Sequence, residues 1–343
     1  NFDTLAEALE SPTLLRAQIR VVNKRIDALL ALDDPHVIEV LLRRLNGPWL
    51  DPASPTNTRR GLLLVQAIGT VADQSALVPL LYYLDHTTNM LVREALVQTI
   101  CGLGDIRAYE PLESWLLVSQ NPHIIFQNEM VIILNGLRRL DEERTFQLLQ
   151  TLLSKRSREH ILAALRALVE YGDRARPLLW GTVYHEDRIV CQSALIALAQ
   201  LRDPRALIPL LAYLEQSEDA DAGHIVTGLA TLGDRRAVDS IYGYLLRSCF
   251  SLDATGSPLI RNFSQLRGAV ALAELGDERA LSPLSDVLTF GNVTWKIMAA
   301  TALGKLDNPK AIPALTSVLE NAEEELQNVV RNVLIQLGEN KTL

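Results

Sequence analysis

Three sets of residues in this 343-residue chain are of types that could do chemistry: six histidines, three cysteines, and a group of tyrosines and tryptophans that return at one spacing. Histidines hold metals or move protons, but a site needs several groups within a few ångströms. His36, His86, His123, His160, His185 and His224 are instead scattered along the chain. His86 and His185 occupy like places in a repeating unit, three units apart. At about 10 Å per stacked layer they stand about 30 Å apart, and both are expected to be exposed turn residues. Cys101 and Cys191 fall inside apolar helical runs, as small core residues do. Cys249 lies in an irregular stretch where a thiol could react. No serine, histidine and acid arrangement, phosphate loop or dinucleotide fingerprint is legible. The sequence offers no catalytic residue and no metal site.

The elements that must position these residues are written nine times. LRDPRALIPLLAYLE, from Leu201 to Glu215, carries the end of one helix through a tight turn into a second, amphipathic helix. LGDIRAYEPLESWL from Leu103, LGDRRAVDSIYGYL from Leu232 and LGDERALSPLSDVL from Leu275 repeat it. Anchored on the turn acid or its equivalent, the copies sit at Asp34, Asp73, Asp105, Glu142, Asp173, Asp203, Asp234, Asp277 and Asn308. A period near 31 residues with two helices per unit is the signature of a helical solenoid. The expected fold is all-α, a right-handed α-solenoid of about nine helix pairs forming a single domain over residues 1–343. Gly104, Gly172, Gly233 and Gly276 stop the first helix, and the acid that follows caps the next element. Pro79, Pro111, Pro209 and Pro283, six residues past their anchors, mark the start of the second helix proper. Arg107, Arg144, Arg205, Arg236 and Arg279 stand two residues after the anchor and are expected to form a ladder to neighbouring repeats' acids. Insertions at 46–60, 117–128 and 247–262 break the period, and 323–337 reads as a capping helix.

Within this frame the aromatics line up. Tyr83, Trp115, Tyr213 and Tyr244 all lie ten residues past their anchors, with Arg44 in the same column. With core positions at seven, eight and eleven, position ten falls about 105° from the centre of the core face. The column is either boundary packing between stacked helices or an aromatic ridge on the inner surface, since second helices of solenoids generally line the concave side. Tyrosine and tryptophan suit a protein-binding face. The candidate partner-binding residues are therefore Tyr83, Trp115, Tyr213, Tyr244 and Arg44, with Trp49 in the first insertion at the edge.

Composition removes other classes. The chain has 33 basic and 41 acidic residues, net charge −8, and no quarter of it has a basic excess. A nucleic-acid groove, which needs clustered cations, is not expected. Apolar runs stay far short of the roughly 18 residues of a membrane span, so no membrane insertion is expected. Widely spaced cysteines and the lack of a charged-then-apolar leader fit a cytoplasmic setting.

The LGD turns and the helix LVREALVQTICGLGD, Leu91 to Asp105, resemble the phycobilisome-lyase-like HEAT repeats over nearly the whole chain. That family includes E- and F-type lyase subunits that attach bilins to phycobiliproteins, relatives that act in phycobilisome turnover, and non-enzymatic binding proteins. The arginine of its first-helix consensus stands here as Arg93 and is replaced by Gly61, Met130, Ile161 and Cys191 at corresponding positions. The resemblance implies a non-catalytic scaffold or assembly and maturation chaperone without a cofactor of its own. Its concave face would hold a cofactor-carrying or photosynthetic antenna protein of cyanobacterial type, such as a phycobiliprotein, or an assembly factor. The alternative it implies is a phycobilin lyase or lyase subunit that binds a bilin and delivers it to a partner's cysteine. Deoxyhypusine hydroxylase, built on similar repeats, needs several His-Glu dipeptides for two irons. Only His185-Glu186 occurs here, and that reading fails.

Overall fold

The computed structural model describes residues 4, 19–32, 34, 36–45, 55–71, 73–87, 89–118, 127–154, 157–217, 222–248, 256–319 and 323–339. Among them are nine helix pairs, a closing helix and no strand. First helices run Ile19–Leu30, Pro55–Val71, Met90–Gly102, Gln127–Leu140, Arg158–Leu168, Arg188–Gln200, Ala222–Leu232, Phe263–Glu274 and Val293–Leu306. Their second helices are Val37–Leu45, Leu77–His86, Tyr109–Val118, Glu142–Leu153, Arg176–Thr182, Leu207–Gln216, Val238–Ser248, Leu281–Phe290 and Ile312–Leu319. Glu324–Glu339 closes the series with three exposed turns of polar face, close to the expected capping helix.

The chain divides into two compact units, Asn1–Ala167 and Leu168–Leu343. In the first, the first helices from Ile19, Pro55, Met90 and Gln127 stack in chain order. In the second, those from Arg188, Ala222, Phe263 and Val293 do the same, ending on the closing helix. Second helices pack on the first helix of the following pair in both units. Each unit thus buries a thin, continuous apolar layer made of positions such as Leu96, Ile100, Leu112 and Leu116, or Leu195, Leu198, Leu210 and Leu214.

The turn has one construction in six copies. Asp73, Asp105, Asp203, Asp234, Asp277 and Asn308 each accept the backbone N–H two residues on, opening a single 3-10 turn before the second helix. The prolines then stand third in their helices, where no intrahelical N–H bond is lost. Two copies depart from this. In the fourth, Asp141 rather than Glu142 is the cap, accepting from the Arg144 N–H, and the α-helix begins at once. In the fifth, Gly172 turns the chain at φ 56° and the exposed Asp173 pairs with Arg176 at 2.8 Å.

The arginine ladder is mostly a set of clamps within one turn. Arg107, Arg205 and Arg236 fold back so that Nε donates to Oδ1 of their own anchors at 3.0, 2.9 and 3.0 Å. A tight turn places the two side chains together, and a two-pronged contact needs less reach than a bridge across a helix layer. Among the described residues, two of the five expected arginines bridge: Arg279 binds both Asp277 and Asp239, and Arg144 reaches Glu113. The insertions are shorter than the sequence suggests. Pro55 already opens a helix, and 117–118, 127–128 and 247–248 are helical. Trp49, His123 and Cys249 lie outside the described residues.

Candidate partner-binding site

In three pairs, position ten of the second helix meets one place on the first helix of its own pair, twelve residues before the anchor. Gly61 sits beside Tyr83: a Cβ built there would lie 3.9 Å from the Tyr83 hydroxyl. The Arg93 guanidinium lies over the Trp115 ring at 4.6 Å. Tyr213 sits beside Cys191, and burial, with that thiol next, raises the phenol's pKa. The aromatic column is thus first an intra-pair packing device.

Burial divides its members. Tyr83, Tyr244 and Arg44 are 2%, 1% and 8% exposed, so they lie beneath the surface and present no ridge to a partner. The reason is where the core face points. Positions four, seven and eleven are its buried centre, as in Leu77, Leu80 and Leu84, while position eight (Leu81, Leu211) is only half-buried. At about 100° per residue, eight and ten then flank the face on opposite sides, and ten is covered by the first helix. Trp115 and Tyr213 keep half-exposed faces.

Trp115 does more than fill a boundary. It borders a groove of about 370 Å³ between the helices Leu77–His86 and Tyr109–Val118, together with Leu81, Asp85, Pro111, Leu112 and Ser114. Beneath it Arg93 Nε donates to Glu129 Oε1 at 3.1 Å, an ion pair whose side chains are 6% and 3% exposed. Glu129 belongs to the next first helix, so the pair ties two repeats together under the indole. Tyr109 is held by Thr145, hydroxyl to hydroxyl at 3.1 Å, which fixes the start of the groove's second wall. On the outer side of the first wall, Val78 and Tyr82 are 69% and 60% exposed, and the Tyr82 ring lies 4.1 Å from that of His86. The sequence reading missed Val78, Tyr82 and Asp85. The signal was available in the Tyr82-Tyr83 doublet, one of which has to face outward.

Among the described residues, the remaining histidines and cysteines stand at separate places. His86 is exposed and His185 half-buried, its Nδ1 accepting the Asp187 N–H at 3.0 Å. His160 is buried, bonded through Nε2 to the Leu116 carbonyl. Burial pushes the Cys101 thiol up to about 12, so it stays protonated. Cys191 donates to the His185 carbonyl at 2.8 Å. Among the described residues no three His, Cys, Asp or Glu side chains gather as metal ligands, and no helix is long and apolar enough to cross a membrane. In the second unit, Leu259 and Ile260 of the last insertion border another groove of about 390 Å³ with Phe290 and Trp295.

The family model for HEAT repeats matches residues 145–230 and 265–336, and the interruption contains the 247–262 insertion. These stretches are HEAT repeats, and the all-α pairs continue with the same turn chemistry before residue 145. No curated protein matches the sequence. Among solved structures, the chain is similar to an engineered protein at 15% identity and TM-score 0.39, covering 98% of this chain and 94% of that one. Human deoxyhypusine hydroxylase in complex with glycerol shows 15% identity and TM-score 0.31, covering 98% and 96%. A computationally designed self-assembling cyclic homo-oligomer shows 13% identity and TM-score 0.12, covering 94% and 93%.

Proposed function

We propose that the chain is a non-catalytic protein-binding scaffold whose second helices receive the partner, with the Trp115 groove as a docking point. One observation carries the reading. In an array where most large apolar side chains are buried, the pair of second helices around Trp115 leaves an open apolar groove beside the exposed Val78 and Tyr82. Exposed apolar surface gathered in one place marks interaction sites rather than random exposure, and aromatic side chains at such sites supply much of the affinity. In the finer form of this proposal the partner is a cofactor-carrying or antenna protein held during assembly or maturation in the cytoplasm, which the family resemblance supports.

The test separates packing from binding. A partner isolated on the full chain is titrated against Trp115→Ala, Tyr213→Ala, Tyr83→Ala and Tyr244→Ala, with a thermal melt for each variant. Trp115→Ala should weaken binding by about 2 kcal/mol or more with a smaller loss of stability. Tyr83→Ala and Tyr244→Ala should lose stability and leave affinity in place. Unchanged affinity in Trp115→Ala, with the variant folded, would remove the groove from the interface.

A further inference from the structure

We propose that the Trp115 groove is built for one chemistry of partner: a short segment that sets a bulky apolar side chain against Leu81 and Trp115 and a lysine or arginine against Asp85. This rests on the scaffold reading and names what docks there. The groove's floor is hydrocarbon from Leu81, Leu84, Leu112 and Pro111, at the small end of ligand-site volumes, with room for one or two side chains. Its rim is not neutral. Asp85 is exposed and no described residue pairs with it. The neighbouring acids are otherwise engaged, Asp105 by Arg107 and Glu113 by Arg144. Glu110, 83% exposed on the second wall, comes only to 4.0 Å from Arg144. Neither Leu77–His86 nor Tyr109–Val118 carries a lysine or arginine.

A carboxylate without a partner beside an apolar floor sets the sign of what can bind. An acidic segment meets repulsion from Asp85 and Glu110, and a purely apolar one strips water from Asp85 and returns no hydrogen bond. A cation beside the apolar anchor satisfies the carboxylate and is steered to it from a distance. Val78 and Tyr82, on the outer flank of the same helix, extend the apolar contact beyond the groove.

The experiment is an unbiased library of twelve-residue peptides on phage, panned against the full chain, with retained peptides synthesised and titrated. Asp85→Lys is the main variant, since the side chain is exposed and its loss should leave the melting temperature unchanged. Retained peptides should carry lysine or arginine close to a leucine, isoleucine, methionine or phenylalanine. They should bind Asp85→Lys about tenfold or more weakly, lose affinity with salt, and regain binding to Asp85→Lys when their basic residue becomes glutamate. Ser114→Trp, at an exposed position of the lining, fills the groove and should abolish binding. Peptides blocked by Ser114→Trp but indifferent to Asp85→Lys, or lacking a basic residue, would overturn the proposal and leave docking in the groove standing. Peptides indifferent to Ser114→Trp, or no retained peptide at all, would overturn both.

Discussion

The Trp115 pair in the first unit and the Tyr213 pair in the second share one construction with both contact residues exchanged. Each sets an aromatic ten residues past the turn acid onto the first helix of its own pair. In the first unit that place is Arg93, in the second Cys191. The arginine brings a charge into the array, and the array answers with Glu129 from the next first helix. A thiol asks for nothing and bonds a nearby carbonyl. The charged pair therefore couples two repeats through a desolvated contact, while the cysteine brings only a neutral thiol, bonded to the His185 carbonyl and set against Tyr213. Removing one partner of a buried pair leaves the other charged and stranded, which costs about 3–5 kcal/mol. Arg93→Ala and Glu129→Ala should each fall in that range in chemical melts, and Arg93→Met with Glu129→Leu should recover most of the loss. Cys191→Ala should cost far less. Equal losses at Arg93 and Cys191 would mean that the ion pair is screened and the two pairs are energetically alike.

The same two regions differ at a glycine. Gly136 and Gly228 both lie six residues before their anchors, on first helices that stack on the preceding first helix. A Cβ on Gly136 would fall 2.0 Å from Cys101 Sγ and 2.6 Å from its Cβ, whereas one on Gly228 meets Ile196 Cγ1 at 3.4 Å and Ala199 Cβ at 3.8 Å. The first is a clash, the second ordinary contact. Gly136→Ala should destabilise by about 1–3 kcal/mol through overpacking, relieved in part by Cys101→Ala. Gly228→Ala should be neutral or stabilise by a few tenths to about 1 kcal/mol, from helix propensity. A stable Gly136→Ala single variant would show that these helices can slide apart without penalty.

What could be read from the sequence was local. Helix stops, turn acids and prolines act within a few residues, so the LGD turns and the helix pairs they bracket were legible. The clamp between Arg205 and Asp203 was visible as a pair but assigned to the wrong partner, because a two-residue spacing looks the same whether the guanidinium folds back or reaches out. The face of the second helix was misplaced by part of a turn. Leu81 and Leu211 have the same type as Leu80 and Leu210, and only packing against two first helices decides which is covered. Tyr82 and Tyr83 make the limit plain: adjacent identical residues are 60% and 2% exposed. Arg93 and Glu129 are 36 residues apart and no pattern joins them. Trp115 stands out in the sequence by its spacing, yet the groove it borders and the rim charge of Asp85 arise only when two second helices stand side by side.

The smallest expected contrast is between two copies of the turn itself. Asp105 and Asp203 are both buried and both accept from the arginine two residues on. Asp203 has one further donor, Trp180 Nε1 at 3.0 Å, and an ion-pair contact with the Arg176 guanidinium at 3.6 Å. The Arg205 side chain first, and then Trp180 and the turn amide, hold its carboxyl well below the usual carboxylate range against the opposing effect of burial. Asp105 is lowered as well, chiefly by the Arg107 side chain and then by the Arg107 amide. In each case the folded state holds the carboxylate more tightly deprotonated than the unfolded chain does. The stabilisation is therefore complete above the ordinary aspartate value near 4 and is lost as pH falls through the lower folded value. Asp203→Asn should cost about 1–2 kcal/mol at neutral pH as a weakened cap and lost charge-assisted bonds, and flatten the acid limb of the stability curve. Asp105→Asn should do the same to a smaller extent, since one arginine is its only side-chain donor among the described residues. Urea melts of both variants and the parent between pH 7 and pH 3 supply the comparison. If the two variants flatten the acid limb equally, the added partners of Asp203 contribute nothing, and the turn is one device regardless of its surroundings.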